Sequence, residues 1–166
     1  MNFSAFCLAL PLSLSLLSLP AAAQLKMPST SPSASAPAAP AADNATAAAT
    51  AEKEAAGLRA AANWLLLLDT QSWNQAWQQA GQLFRSTIPL AQWTEGIPKA
   101  RAPLGALQER QPETVGYKTQ LPGRPDGEYV TVVFASKFAN KPDAEEIVTM
   151  ARETDGQWRV TGYAAR

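Results

Sequence analysis

The chain has 166 residues, 14 basic and 14 acidic side chains, a single cysteine and no histidine. With Cys7 confined to the extreme N-terminus, the side chains most used for acid–base work near neutrality, zinc ligation and thiol chemistry are missing from everything downstream. The balanced charge, with Arg101, Arg110, Lys118 and Arg124 scattered along the chain, excludes the broad positive footprint that a nucleic-acid surface needs.

Residues 1–23 read as a signal peptide. An uncharged stretch rich in leucine and phenylalanine ends in Ala21-Ala22-Ala23, which predicts cleavage between Ala23 and Gln24 and a periplasmic or secreted location. No basic residue precedes the stretch. The competing reading is an uncleaved anchor, but Pro11 and Pro20 interrupt a run barely long enough to cross a bilayer core of ~30 Å, so no stable span is expected after cleavage. Cys7 lies too early for a lipid-modified N-terminus, and its removal leaves no disulfide, so core packing must hold the rest together. Residues 24–50 are rich in Ala, Pro, Ser and Thr. Pro28, Pro32, Pro37 and Pro40 predict an extended spacer there, although the alanines of 45–51 are able to extend the following helix backwards. Asn44-Ala45-Thr46 has the form of a glycosylation sequon, which in such a spacer is most simply chance.

Residues 51–166 make one small domain. Ala55, Leu58, Ala62 and Leu65 recur at helical spacing, and the run Leu66-Leu67-Leu68 predicts final turns buried on nearly every side before Asp69-Thr70-Gln71 ends the helix. Ser72 with Gln75 has the form of a capping box, opening a second helix over 72–84 with Trp73, Ala76, Trp77, Ala80, Leu83 and Phe84 on one stripe. A third helix runs from Pro89 towards Arg101, with Leu90, Trp93 and Ile97 on one face and a kink or restart expected at Gly96 and Pro98. After Gly105 the period falls to two. Strands are expected around Val115, Tyr117 and Thr119, then over 128–138, 144–153 and 157–164. The turns are 122–127, Asn140-Lys141-Pro142-Asp143, and Asp155-Gly156, the last fit for a tight primed hairpin. Helices followed by strands mean α+β: three N-terminal helices packed on a curved four-stranded antiparallel sheet.

From about Ala61 onward the chain resembles the family called domain of unknown function 4019, mostly bacterial and secreted. The resemblance is carried in order by Trp64 through Asp69, Trp73 through Trp77, Trp93, Arg101-Ala102-Pro103-Leu104-Gly105, Leu121-Pro122-Gly123, Pro125-Asp126-Gly127-Glu128-Tyr129 and Trp158-Arg159-Val160-Thr161-Gly162-Tyr163. It departs from the family's look at Gly96 and Pro98. The resemblance implies a fold like nuclear transport factor 2, a helical cone wrapped by a bent sheet, and supplies no activity.

Relatives of such cones include isomerases and dehydratases, which need a carboxylate with a neighbouring donor. Asp69, Glu113, Glu128, Glu145, Glu146 and Glu153 are the candidate carboxylates, with Tyr117, Tyr129 and Tyr163 as donors, but most of them flank turns or strand ends where solvation is expected. No calcium loop, nucleophile elbow or phosphate loop is present in the sequence, and no metal or cofactor is expected. Arg101 ends the third helix, where capping the last carbonyls is favoured over an anion clamp at a pocket mouth. The reading is therefore a non-catalytic envelope module that binds a small apolar ligand or a partner protein. Trp77, Trp93, Arg101, Tyr117 and Tyr129 are its candidate contacts, and homodimerisation through the sheet face is a further option. The alternative is a small isomerase or lyase using a buried carboxylate and a tyrosine.

Overall fold

The computed structural model describes residues 39–166; the expected signal peptide, its Ala23/Gln24 cleavage point and residues 24–38 of the expected spacer lie outside the described residues. Among the described residues four helices precede four strands: α1 (Ala39–Asp69), α2 (Trp73–Gln79), α3 (Gln82–Thr87), α4 (Leu90–Arg101), then a 3₁₀ turn (Ala102–Leu104), β1 (Leu107–Lys118), β2 (Tyr129–Phe138), β3 (Lys141–Arg152) and β4 (Trp158–Ala165). No helix among the described residues is long and apolar enough to cross a membrane.

α1 is 31 residues long and begins inside the stretch expected to be a spacer. No proline follows Pro40 in that run, and alanine is the strongest helix former, so the helix propagates back from its packed half. That packed half lies close against the sheet. A Cβ on Gly57 would stand 2.5 Å from Cβ of Val130, so only glycine allows this approach of α1 to β2. Leu65 and Leu68 are buried, but Leu66 is 58% exposed, so the leucine run is not enclosed on every side.

The single helix expected over 72–84 is two, parted at Ala80 and Gly81. Gly81 donates its backbone N–H to Val160 O at 2.8 Å, and Gln82 N bonds Oε1 of Glu153 at 2.6 Å. A tertiary bond to β4 thus replaces the intrahelical ladder, and a side chain at 81 would press on Glu153 and the Val160 carbonyl. The capping box does not form: Ser72 makes no side-chain cap, and its hydroxyl lies 3.2 Å from that of Thr70. α4 runs through Pro98 without a restart.

Helices of seven and six residues are too short to hold themselves. Three tryptophans supply what they lack. The Trp64 indole donates to Ala76 O at 2.8 Å, Trp77 to Ile88 O at 2.7 Å and Trp93 to Trp73 O at 2.9 Å. Ala76 lies in the last turn of α2, where Ala80 N bonds Trp77 O instead, and Ile88 follows α3, so neither carbonyl has a helical partner of its own. The rings pack as well: Phe84 meets Trp93 edge-on at 5.2 Å, and Trp64 meets Tyr163 at 5.5 Å.

The sheet is antiparallel in the order β1-β2-β3-β4. Val132 faces Val148, Val130 faces Met150 and Met150 faces Val160, and these buried side chains meet the helices on one side. β1 breaks register between Pro112 and Thr114, and the β3–β4 pair breaks between Thr149 and Met150. Two expected turns differ. β3 begins at Lys141, and Pro142 sits where the β2–β3 register shifts between Ser136 and Phe138, a bulge at which a residue without an N–H is tolerated. The hairpin at Asp155-Gly156 is not primed: Gly156 alone has positive φ (78°), with Gly156 N bonded to Glu153 O and Glu153 N to Gln157 O.

Candidate functional site: a buried charge quartet below an apolar cleft

The alternation that buries Ala144, Val148 and Met150 on β3 also carries Glu146 inside, where it is 0% exposed. A lone carboxylate there would cost several kcal/mol of lost hydration, of order. Two guanidiniums meet it. Arg101, last residue of α4, donates Nη1 to Glu146 Oε1 at 2.8 Å and Nη2 to Asp69 Oδ1 at 2.7 Å. Arg110 of β1 donates Nε to Glu146 Oε2 at 2.7 Å, and Nη1 and Nη2 to the two oxygens of Asp69 at 2.7 and 3.0 Å. Ser136 of β2 donates to Glu146 Oε2 at 2.7 Å, and the Tyr163 hydroxyl of β4 donates to Oε1 at 2.8 Å while accepting from Arg101 at 2.6 Å. The Arg101 guanidinium also lies over the Phe138 ring, 5.3 Å from its centre.

Two positive and two negative charges therefore close on themselves and join α1, α4 and all four strands. Glu146 accepts four donors, which fills a carboxylate's capacity. Burial pushes its carboxyl up, but the Arg110 charge and the bonds from Ser136, Tyr163 and Arg101 outweigh burial and hold it below the usual carboxylate range. Burial and the neighbouring Glu146 charge push the Tyr163 phenol well above its ordinary value, so it remains a donor. Among the described residues no buried side-chain nitrogen or oxygen lacks a partner.

Above this quartet opens a cleft of ≈ 720 Å³. Its walls are Leu66, Leu68, Trp73, Pro98 and Leu107, and Asp69 and Arg101 are its polar floor. α1 ends at Asp69 and α4 at Arg101, so two helix C-termini and the entry to β1 form the rim.

The five candidate contacts are not gathered at one place. Arg101 alone of the five lines this cleft, and it is neither a carbonyl cap nor an open clamp, because its acceptors are carboxylates and a phenol. Trp77 is half-buried beneath Arg85, and Trp93 is buried against Trp64 and Phe84. Tyr117 stands at the far end of the sheet, where its hydroxyl accepts from Lys53 at 3.1 Å and donates to Glu128 at 2.8 Å. Tyr129 points to the opposite face, closed by the 122–127 turn through a bond to Pro125 O at 2.6 Å. Of the candidate carboxylates, Glu113 is exposed, Glu145 pairs with Arg166, Glu153 bonds Gln82 N and pairs with Arg159, and Glu128 is held at about 2, first by its bond to Lys53 and then by Arg152 and Tyr117. Sequence spacing alone does not pair Arg110 with Glu146, one of six candidate carboxylates of which most are expected to be solvated. The available signal was a carboxylate placed at period two between Ala144 and Val148.

No curated protein matches the chain. Residues 60–163, which carry the whole quartet, match the family described as Protein of unknown function (DUF4019). The chain belongs to that family.

Proposed function

We propose that this domain is a non-catalytic binding module of the cell envelope, with its occupant seated in the cleft between the ends of α1 and α4. The observation that carries this reading is the pairing of an apolar cleft with a floor whose charges are already neutralised. Such a site favours a small, largely apolar ligand with one neutral polar end, or an apolar side chain of a partner protein. Leu66, exposed on the rim, is the kind of side chain that a ligand would cover. Export through the segment 1–23 belongs to the same proposal, with a mature chain starting at Gln24, as does a cone of the nuclear transport factor 2 kind. Register breaks at Pro112/Thr114 and Thr149/Met150 support the cone, since bulges bend strands.

The isomerase or lyase alternative is less well supported. Its best carboxylate, Glu146, is ionised and fully bonded, and Tyr163 beside it is committed to the same network. Native mass spectrometry of the protein purified from its own envelope is expected to show a retained small molecule. Nile red, a neutral apolar probe, is expected to bind the purified domain, and Leu66→Asp is expected to weaken it about tenfold without lowering Tm. Equal Nile red affinity in Leu66→Asp would remove the cleft from consideration, and N-terminal sequencing that begins at Met1 would overturn export by cleavage.

A further inference from the structure

A second cleft, of ≈ 470 Å³, lies on the β4 side of the molecule. Leu83 and Ile88 of the α3 region and Trp93 of α4 make one wall, Gly162 and Tyr163 lie along its floor, and the turn Pro122-Gly123-Arg124 closes the other side. Arg124 is the anomaly. It is half-buried, yet among the described residues its guanidinium has no carboxylate, carbonyl or hydroxyl partner. Arg101, Arg110, Arg152, Arg159 and Arg166 all engage carboxylates. Its position is also built. Gly123 holds the turn with φ 73°, and a Cβ on Gly162 would stand 3.1 Å from Nη2 of Arg124, so a side chain at 162 would make the guanidinium give by a few tenths of an ångström.

We infer that this cleft binds a small carboxylate with an apolar tail, the carboxylate on Arg124 and the tail against Leu83, Ile88 and Trp93. A planar guanidinium with free donors beside apolar walls matches that chemistry, because the fork takes a carboxylate in bidentate fashion while the tail leaves water. The site is separate from the cleft over Asp69 and Arg101 and does not depend on the function proposed for it.

The test uses sodium decanoate and decanol as probes, measured calorimetrically on the chain as purified. Decanoate is expected to bind more tightly than decanol. Arg124→Gln is expected to weaken decanoate about tenfold or more and to leave decanol unchanged. Gly162→Ala, which pushes on the guanidinium, is expected to act in the same direction. Arg124 and Gly162 lie outside the buried core, and an unchanged Tm checks that the variants fold. Leu66→Asp is expected to leave decanoate affinity as it was. The inference is overturned if Arg124→Gln binds decanoate as well as the parent does, if Leu66→Asp is the variant that abolishes binding, or if decanoate fails to bind.

Discussion

Two ionic clusters sit at opposite ends of the sheet, and they differ in almost everything except the bonds they make. The first joins Asp69, Arg101, Arg110 and Glu146, all at most 15% exposed. The second joins Lys53 and Arg152 directly to Glu128, with the Tyr117 hydroxyl bonded to Lys53 and Glu128, and its charged side chains are 29 to 43% exposed. Both pin α1 to the sheet: one through Asp69, its last residue, the other through Lys53 and Glu54, which accepts the Tyr117 backbone N–H at 3.0 Å. At the solvated end water competes for each charge, and loss of a partner is largely made good by hydration. At the buried end little of the cluster reaches water and Glu146 none of it, so removing that carboxylate leaves its partners charged and poorly hydrated. What a contact list counts as equal, burial makes unequal.

That contrast is open to direct attack. The largest effect is expected at the quartet. Glu146→Gln is predicted to cost on the order of 3–5 kcal/mol in urea unfolding followed by tryptophan fluorescence, because Arg101 and Arg110 lose the more deeply buried of the two anions they share. A loss near that of an exposed pair would mean that the site is wetter than its geometry. The concerted apolar replacement Asp69→Leu, Arg101→Met, Arg110→Met, Glu146→Leu, with Ser136→Ala and Tyr163→Phe to avoid stranded hydroxyls, is predicted to recover most of that loss. Recovery would show that the quartet fixes the arrangement of elements more than it stabilises them.

Next in size is Gly57→Ala. Its methyl meets the stiff, branched Val130, and overpacking there is predicted to cost about 1–3 kcal/mol by the same assay. A neutral result would place α1 further from the sheet than described.

The pH dependence separates the two ends further. A carboxylate with a depressed folded value contributes stability above its unfolded value, near 4.3, and loses it as pH falls through the folded value. Glu146 and Glu128 both fall in this class, Glu128 with a folded value of about 2. Stability is therefore predicted to fall as pH drops below about 4. The Glu146→Gln variant should show a shallower slope, and added salt should flatten the Glu128 share but leave the Glu146 share. At the alkaline end the sign reverses for Tyr163. Its raised value favours the neutral phenol in the folded state, so stability is lost once unfolded tyrosine ionises near 10. Ultraviolet titration of the parent against Tyr163→Phe should find that Tyr163 resists ionisation until unfolding.

The smallest effect is expected at the solvated end, where Glu128→Gln is predicted to cost less than about 1 kcal/mol, and less again at high salt. A cost matching that of Glu146→Gln would erase the distinction between the two ends.

Periodicity made much of the fold legible. Val130, Val132, Phe134 and Phe138 share the buried face of β2 as their alternation required, and Trp93 and Ile97 share the buried face of α4. Departures came where a distant element intervened. Gly81 broke a helix because β4 offered it a carbonyl, and α1 ran back to Ala39 because nothing after Pro40 stopped it. The tryptophans were legible as anchors, but their indole bonds to Ala76, Ile88 and Trp73 were not, since those carbonyls become neighbours only once the helices fold against one another.

By itself the sequence determined the class of the fold, the order of helices before strands, and the faces that turn inward. Those follow from local repetition of apolar side chains, which each segment carries within itself. Tertiary structure alone decided that Arg101 would meet Asp69, 32 residues away, and Glu146, 45 residues away, and that Arg124 would be left facing a cleft with no anion of its own. Charges pair by proximity in space, and that proximity exists only after the apolar faces have packed.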